Sequence, residues 1–164
     1  MAKKKKDKAP EGMELLVCRN PKVQQSYDID ERLEAGMVLQ GSEVKSLRAK
    51  RADIDGAYAA LDPKGELYLH KVFIGPYEQA GPYHAHPERR VRKLLVHKHE
   101  LKRLRGALSL RGYTLVPTQI YFKNGNAKVE LALARGKKKG DERQELKKKA
   151  ELAEARAAMA KHKR

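Results

Sequence analysis

The dipeptide Asn124-Gly125, set between two runs of alternating residues, constrains this chain more than any other feature. A two-residue type I′ turn needs positive φ at both central positions, and Asn-Gly takes that conformation most readily. The flanking runs, 113–123 and 126–135, then pair as a hairpin. The register that follows sets Phe122 opposite Ala127, Ile120 opposite Val129, Thr118 opposite Leu131 and Val116 opposite Leu133. It places nearly every apolar side chain on one face and leaves Tyr121, Gln119, Lys128 and Glu130 on the other. Turn chemistry and alternation thus agree on one register.

Weaker signals extend the pattern. Segments 57–61 and 66–74 are joined by Asp62-Pro63-Lys64-Gly65, with Pro and Gly where a type I turn prefers them. Residues 27–29, 37–39 and 94–96 are short strand candidates. Leu101, Leu104 and Leu108 recur at helical spacing, which predicts a helix over 98–105 stopped by Gly106. A second short helix is expected over 43–50, with Val44 and Leu47 inward, and the Pro- and Gly-rich stretch 75–87 is a loop. Several short strands with turn signals and few helices predict a mainly β fold, a small antiparallel barrel of the oligonucleotide-binding (OB-like) type with short flanking helices. A barrel of this size is filled by its own side chains and meets a partner with its outer face, so no cofactor is expected.

Charge then decides what kind of partner. The chain carries a net +16, concentrated at its ends: about +4 over residues 1–10 and about +7 over 135–164. Three segments are expected: a basic N-terminal tail over 1–14, an RNA-binding barrel over 15–135 and a basic C-terminal tail over 136–164. In the last, Leu146, Ala150, Ala153, Ala157 and Ala160 recur at helical spacing among good helix formers. A stripe made mostly of alanine buries little, so the tail reads as weakly ordered alone and helical against a surface. Gly136 and Gly140 bracket Lys137, Lys138 and Lys139 as a flexible joint.

No apolar run reaches the length of a membrane span, the N-terminal lysines precede no apolar stretch, and Cys18 stands alone. A cytoplasmic protein with a polyanionic partner, and no membrane, is expected. His84/His86 and His97/His99 have metal-like spacing, but no acid or cysteine completes a tetrahedral set beside them. Recognisable nucleotide-loop and nucleophile motifs are absent, so the chain is not expected to be an enzyme. For binding, residues 89–93 place four cations in five positions, and seven tyrosines are available to stack on exposed bases. The residues alone leave two readings open: an oligonucleotide-binding module with basic tails, for instance a single-strand binder, and an RNA-modifying or metal-dependent enzyme using the histidine pairs.

Six strings occur in a fixed order: Glu34-Ala35-Gly36, then the stretch 41–48 (GSEVKSLR), Arg92-Lys93-Leu94-Leu95, the stretch 112–117 (GYTLVP), Ala127-Lys128-Val129-Glu130, and the stretch 134–138 (ARGKK). Together they resemble the SsrA-binding protein (SmpB) family over roughly residues 15–143. The resemblance implies an OB-type barrel and a role in trans-translation, the rescue of ribosomes stalled on broken messages. It implies two partners: the tRNA-like domain of transfer-messenger RNA, and the ribosome, chiefly small-subunit rRNA at the decoding centre and mRNA channel. By the same resemblance Asn20, Glu34, Leu95 and Lys128 align with positions of RNA contact. Tyr27, Lys45, Arg48, Arg90, Arg92 and Lys93 complete the expected RNA-binding set. Gly136, Lys137, Lys138, Lys139, Asp141, Arg143, Lys147, Lys148 and Lys149 form the expected ribosome-facing tail set. The chain departs from the family at Gly140, often a larger ring-bearing residue, and at Glu142, where the family's Asp-Lys-Arg motif has lysine.

Overall fold

The computed structural model describes residues 12–137 and 139–162. The N-terminal lysine run and Lys138 lie outside the described residues.

The long hairpin is the spine of the fold. Strands β8 (Tyr113–Lys123) and β9 (Asn126–Gly136) are joined by Asn124 and Gly125, whose φ values of 51° and 74° are those of the expected turn. Phe122 pairs with Ala127 and Ile120 with Val129, as the alternation predicts. Beyond Gln119 the register slips by one, so that Pro117 pairs with Leu131, Val116 with Ala132 and Leu115 with Leu133. The expected pairs Thr118–Leu131 and Val116–Leu133 are therefore corrected. The cause is local: Pro117 has no N–H for the ladder, and a proline inside a sheet is accommodated at a bulge. Thr118 occupies that bulge, and its hydroxyl donates to the Glu130 carbonyl (3.2 Å) and carboxylate (2.6 Å).

Around the hairpin, β2 (Tyr27–Met37), β4 (Tyr58–Leu61), β5 (Leu67–His70) and β7 (Arg92–Leu95) close a ring in the order β8-β4-β5-β7-β2-β9, with β9 returning to β8. Strand β1 (Met13–Arg19) pairs with β8 beyond the point where β4 leaves it, and the short strands β3 (Ala52–Asp53) and β6 (Phe73–Ile74) pair separately. All the pairings are antiparallel. The first described strand starts at Met13. Strand β2 merges two expected short segments across Asp30, Glu31, Arg32 and Glu34; these residues favour strands poorly, and pairing with β9 and β7 overrides that preference.

Leu33, Leu67, Leu69, Leu94, Leu115 and Leu131 fill the barrel. Helices α2 (Gly41–Arg48) and α3 (Lys98–Leu108) contribute Leu47 and Leu104 to the same core. Helix α3 does not stop at Gly106 but runs one turn further, and Leu108 packs on the core. A second, smaller cluster (Val23, Val116, Ala132 and Ala134) sits where the five-residue helix α1 (Lys22–Ser26) covers the hairpin from outside. This explains why β8 is buried on both faces, a feature that simple alternation does not anticipate. Cys18 lies against the core, and burial pushes its thiol up to about 11, so it stays protonated and unreactive at neutral pH.

The C-terminal segment forms the helix α4 (Lys139–His162), exposed wherever its side chains are described. Gly136 completes β9 opposite Tyr27 and Gly140 lies in the first turn of α4, so neither acts as the expected loop glycine. No helix of the described residues is long and apolar enough to cross a membrane.

Candidate nucleic-acid interface

Strand pairing assembles the outer face of the barrel. Gly36 on β2 pairs with Leu95 on β7 and with Lys128 on β9; Lys128 in turn pairs with Tyr121 on β8. A second row runs from Glu34 through Glu130 and Gln119 to Arg19 on β1. Because side chains alternate along each strand, the two rows share one surface. Gly36 keeps that surface open: a Cβ there would meet Leu95 Cβ at 3.4 Å and Lys128 Nζ at 3.7 Å. Leu95 remains 56 % exposed, a large apolar side chain among charges. Asn20, at the end of β1, lines a cleft of about 260 Å³ with Arg19, Arg32, Gln119 and Glu130. Asn20, Glu34, Leu95 and Lys128, far apart in sequence, thus come together on one face.

Two carboxylates lie directly opposite each other here, Glu34 and Glu130. Such a pair is unfavourable in a sheet unless each charge is separately compensated. Glu34 accepts a hydrogen bond from the Tyr121 hydroxyl and has Lys123 Nζ at 3.5 Å. Glu130 accepts from Thr118, from Gln119 Nε2 at 3.1 Å and from Arg32 Nη1 at 3.5 Å. Burial, reinforced by the Glu34 carboxylate, pushes the Tyr121 hydroxyl well above the usual tyrosine value, so it stays a donor. Lys128 has no carboxylate partner among the described residues and is available to a phosphate. The face therefore offers fixed acceptors for amino or ribose hydroxyl groups beside a cation, Lys128, for a phosphate. Tyr121 lies on the face opposite the apolar one, as the alternation places it, yet is buried there; its link to Glu34 has no local sequence signal.

The basic run 89–93 divides differently from the sequence expectation. Arg92 is fully buried and is corrected as an RNA contact. Its Nε donates to Glu43 Oε1 at 2.9 Å, and its other nitrogens donate to the Val72, Arg90 and Glu88 carbonyls. Arg90 donates to the same carboxylate through Nε at 3.1 Å and Nη2 at 2.8 Å. Lys93 is paired with Glu66 at 2.8 Å. Burial opposes ionisation of Glu43, but the bonds from Arg90 and from the Gln40 N–H, with the Arg92 charge, hold its carboxyl below the usual range. Two of the ordered strings, around 41–48 and 92–95, are thus one buried clamp. The signal was present in the sequence: Glu43 lies four residues before Leu47 on a helix, and Arg92 two before Leu94 on a strand, each on the inward face.

The remaining expected residues are dispersed. Lys45 lies over the Tyr77 ring at 5.2 Å, and Arg48 over the Phe122 ring at 4.5 Å. Tyr27 packs on the second apolar cluster. Of the histidines, His97 and His99 stack on each other at 5.6 Å, while buried His86 is held by Ser42 and the Ile74 carbonyl. No three His, Cys, Asp or Glu side chains gather to hold a metal among the described residues. In the tail, Lys137 Nζ donates to the Gln24 carbonyl (3.2 Å) and pairs with Glu145 (2.6 Å), which ties the start of α4 to α1.

The model of the SmpB protein family matches residues 17–161. The chain belongs to the SmpB family. An SsrA-binding protein of Listeria welshimeri is 49 % identical over 140 residues, 85 % of this chain and 90 % of that one. One of Geobacter metallireducens is 47 % identical over 146 residues, 89 % and 94 % of the two chains. A solved structure described as "tmRNA-SmpB: a journey to the center of the bacterial ribosome" superposes with a TM-score of 0.62 at 51 % identity, covering 74 % of this chain and 85 % of that one. The SmpB match includes β2 through β9 and most of α4, so both the outer face and the basic helix lie within it.

Proposed function

We propose that this SmpB-family chain binds the tRNA-like domain of transfer-messenger RNA with its outer face and accompanies that RNA to stalled ribosomes for trans-translation. The observation that carries the reading is the convergence of Asn20, Glu34, Leu95 and Lys128 on one face of a barrel whose relatives are SsrA-binding proteins. The chain acts by binding rather than catalysis, in the cytoplasm where ribosomes work. The test is competition: the full chain should retain the tRNA-like domain in the presence of excess unstructured RNA of equal length. Equal displacement by both would sink the reading in favour of a general single-strand binder.

Within this reading the segment 136–164 serves the ribosome, its basic side chains facing rRNA while α4 occupies the empty mRNA channel. The exposed helix, the small alanines and the net charge support it. Docking then releases Lys137 from Gln24 and Glu145. Replacing Lys137, Lys138 and Lys139 with alanine is expected to leave RNA affinity within about threefold, since these charges belong to the tail and act on RNA bound at the barrel only through screened, long-range attraction. Peptide tagging on stalled ribosomes should fall far more. Parallel measurement of RNA retention and tagging checks this, and an equal loss of both would show that barrel and tail are not separable.

A further inference from the structure

Beneath the outer-face assignment lies a second feature with the chemistry of an RNA site. Loop 75–87 and the start of α2 enclose an open cleft of about 710 Å³ that shares no residue with the outer face described above. Its wall is fixed rather than loose. Gly75 N–H donates to the Arg51 carbonyl at 2.8 Å and Ile74 N–H to the Glu88 carbonyl at 2.9 Å. Midway, His86 Nε2 lies 3.1 Å from the Ile74 carbonyl, which can only accept, so Nε2 carries the proton. Nδ1 is then the acceptor for the Ser42 hydroxyl at 2.8 Å, and the loop is pinned to α2.

Among the described residues, six of the seven tyrosines are buried, packed or held by an internal contact; Tyr83 is the exception, 94 % exposed. Lys45 has no carboxylate partner among the described residues, and its ammonium rests over the Tyr77 ring. Two amides spend their oxygens inside the protein: Gln79 Oε1 accepts from the Tyr77 hydroxyl at 2.7 Å, and Gln40 caps the Glu43 N–H. Their NH₂ groups are left to donate. An aromatic face, an unpaired cation and amide donors are what an unpaired nucleotide requires: stacking for the base, charge for the phosphate, donors for the base edge. An acidic peptide would leave the aromatic face unused, and a duplex hides its base faces.

We propose that this cleft is a second RNA site that takes one unpaired nucleotide, with the base on Tyr83 and the phosphate at Lys45. The proposal rests on the RNA-binding reading above. The nucleotide belongs to transfer-messenger RNA or to rRNA, and two arms separate these sources: the full chain with transfer-messenger RNA alone, and the same complex on stalled ribosomes. Short-wavelength ultraviolet crosslinking followed by mass spectrometry should yield a nucleotide adduct on the peptide containing Tyr83 in at least one arm. In that arm Tyr83→Ala should weaken binding about 5- to 150-fold while Tyr83→Phe, which still stacks, retains it. Lys45→Ala should weaken the same step and lower the adduct yield. Because Tyr83 is almost fully exposed, its loss leaves the fold intact. No adduct in either arm, with Tyr83→Ala binding like the unaltered chain, would overturn the proposal and leave the outer-face reading standing. Failure of the unaltered chain to bind transfer-messenger RNA would overturn both.

Discussion

Glu43→Ala is expected to cost the fold about 3–5 kcal/mol, the usual penalty for stripping one partner from a buried ion pair. Glu43 and Arg92 are both fully buried, and every nitrogen of Arg92 donates inside the protein. Without the carboxylate, two guanidinium groups face each other with nothing between them. The double replacement Glu43→Leu with Arg92→Leu should recover much of that loss, because no charge is then left unpaired. Equilibrium urea unfolding of the single and double variants checks this; a Glu43→Ala loss below about 1 kcal/mol would show that the clamp is dispensable. The same group sets a pH dependence. Its carboxyl ionises below the ordinary carboxylate value of 4.5 when folded. The stabilisation is therefore fully present above that value and is lost as pH falls through the lower, folded one. Glu43→Ala should flatten this acid limb of the stability profile.

Lys128 is the position at which RNA affinity is expected to fall most. It stands between Gly36 and Tyr121 on the outer face, beside the carboxylates of Glu34 and Glu130. Losing one charge-assisted contact costs about 1.5–3 kcal/mol, so Lys128→Ala should weaken binding to the tRNA-like domain about 10- to 150-fold. Lys128→Glu should weaken it further, since a third carboxylate would join two that are only just compensated. Lys128→Ala should also reduce the slope of log K against log salt by about 0.9, the signature of one phosphate contact removed. Titrations at several salt concentrations measure both quantities. Unchanged affinity with unchanged slope would remove Lys128 from the interface. Arg92→Ala, by contrast, should act through unfolding, and the two variants separate a residue that meets RNA from one that holds the barrel.

How much was legible beforehand depended on the range of the signal. The hairpin turn, the register near it, the type I turn at 62–65 and the positions of α2 and α3 were readable because each rests on residues a few places apart. The Gly65 N–H to Asp62 carbonyl bond of 2.9 Å is a local event that a local sequence specifies. The register beyond Thr118, the length of β2 and the small helix α1 were not readable, because pairing partners and covering layers decided them. The family strings located the outer face, but they did not separate Arg92, which is buried, from its exposed neighbours.

The sequence by itself determined that the chain is a mainly β barrel built on one hairpin, strongly basic at both ends and suited to a polyanion. Turn dihedrals, side-chain alternation and net charge are properties of neighbouring residues and survive without a fold. Only the tertiary structure decided which charges are spent inside and which remain for a partner. Arg92 reaches Glu43 across 49 positions, Tyr121 reaches Glu34 across 87, and Lys128 is left without a carboxylate among the described residues. Whether a charged side chain meets water or its opposite depends on which strands close the barrel, and closure is a long-range event that no window of sequence contains.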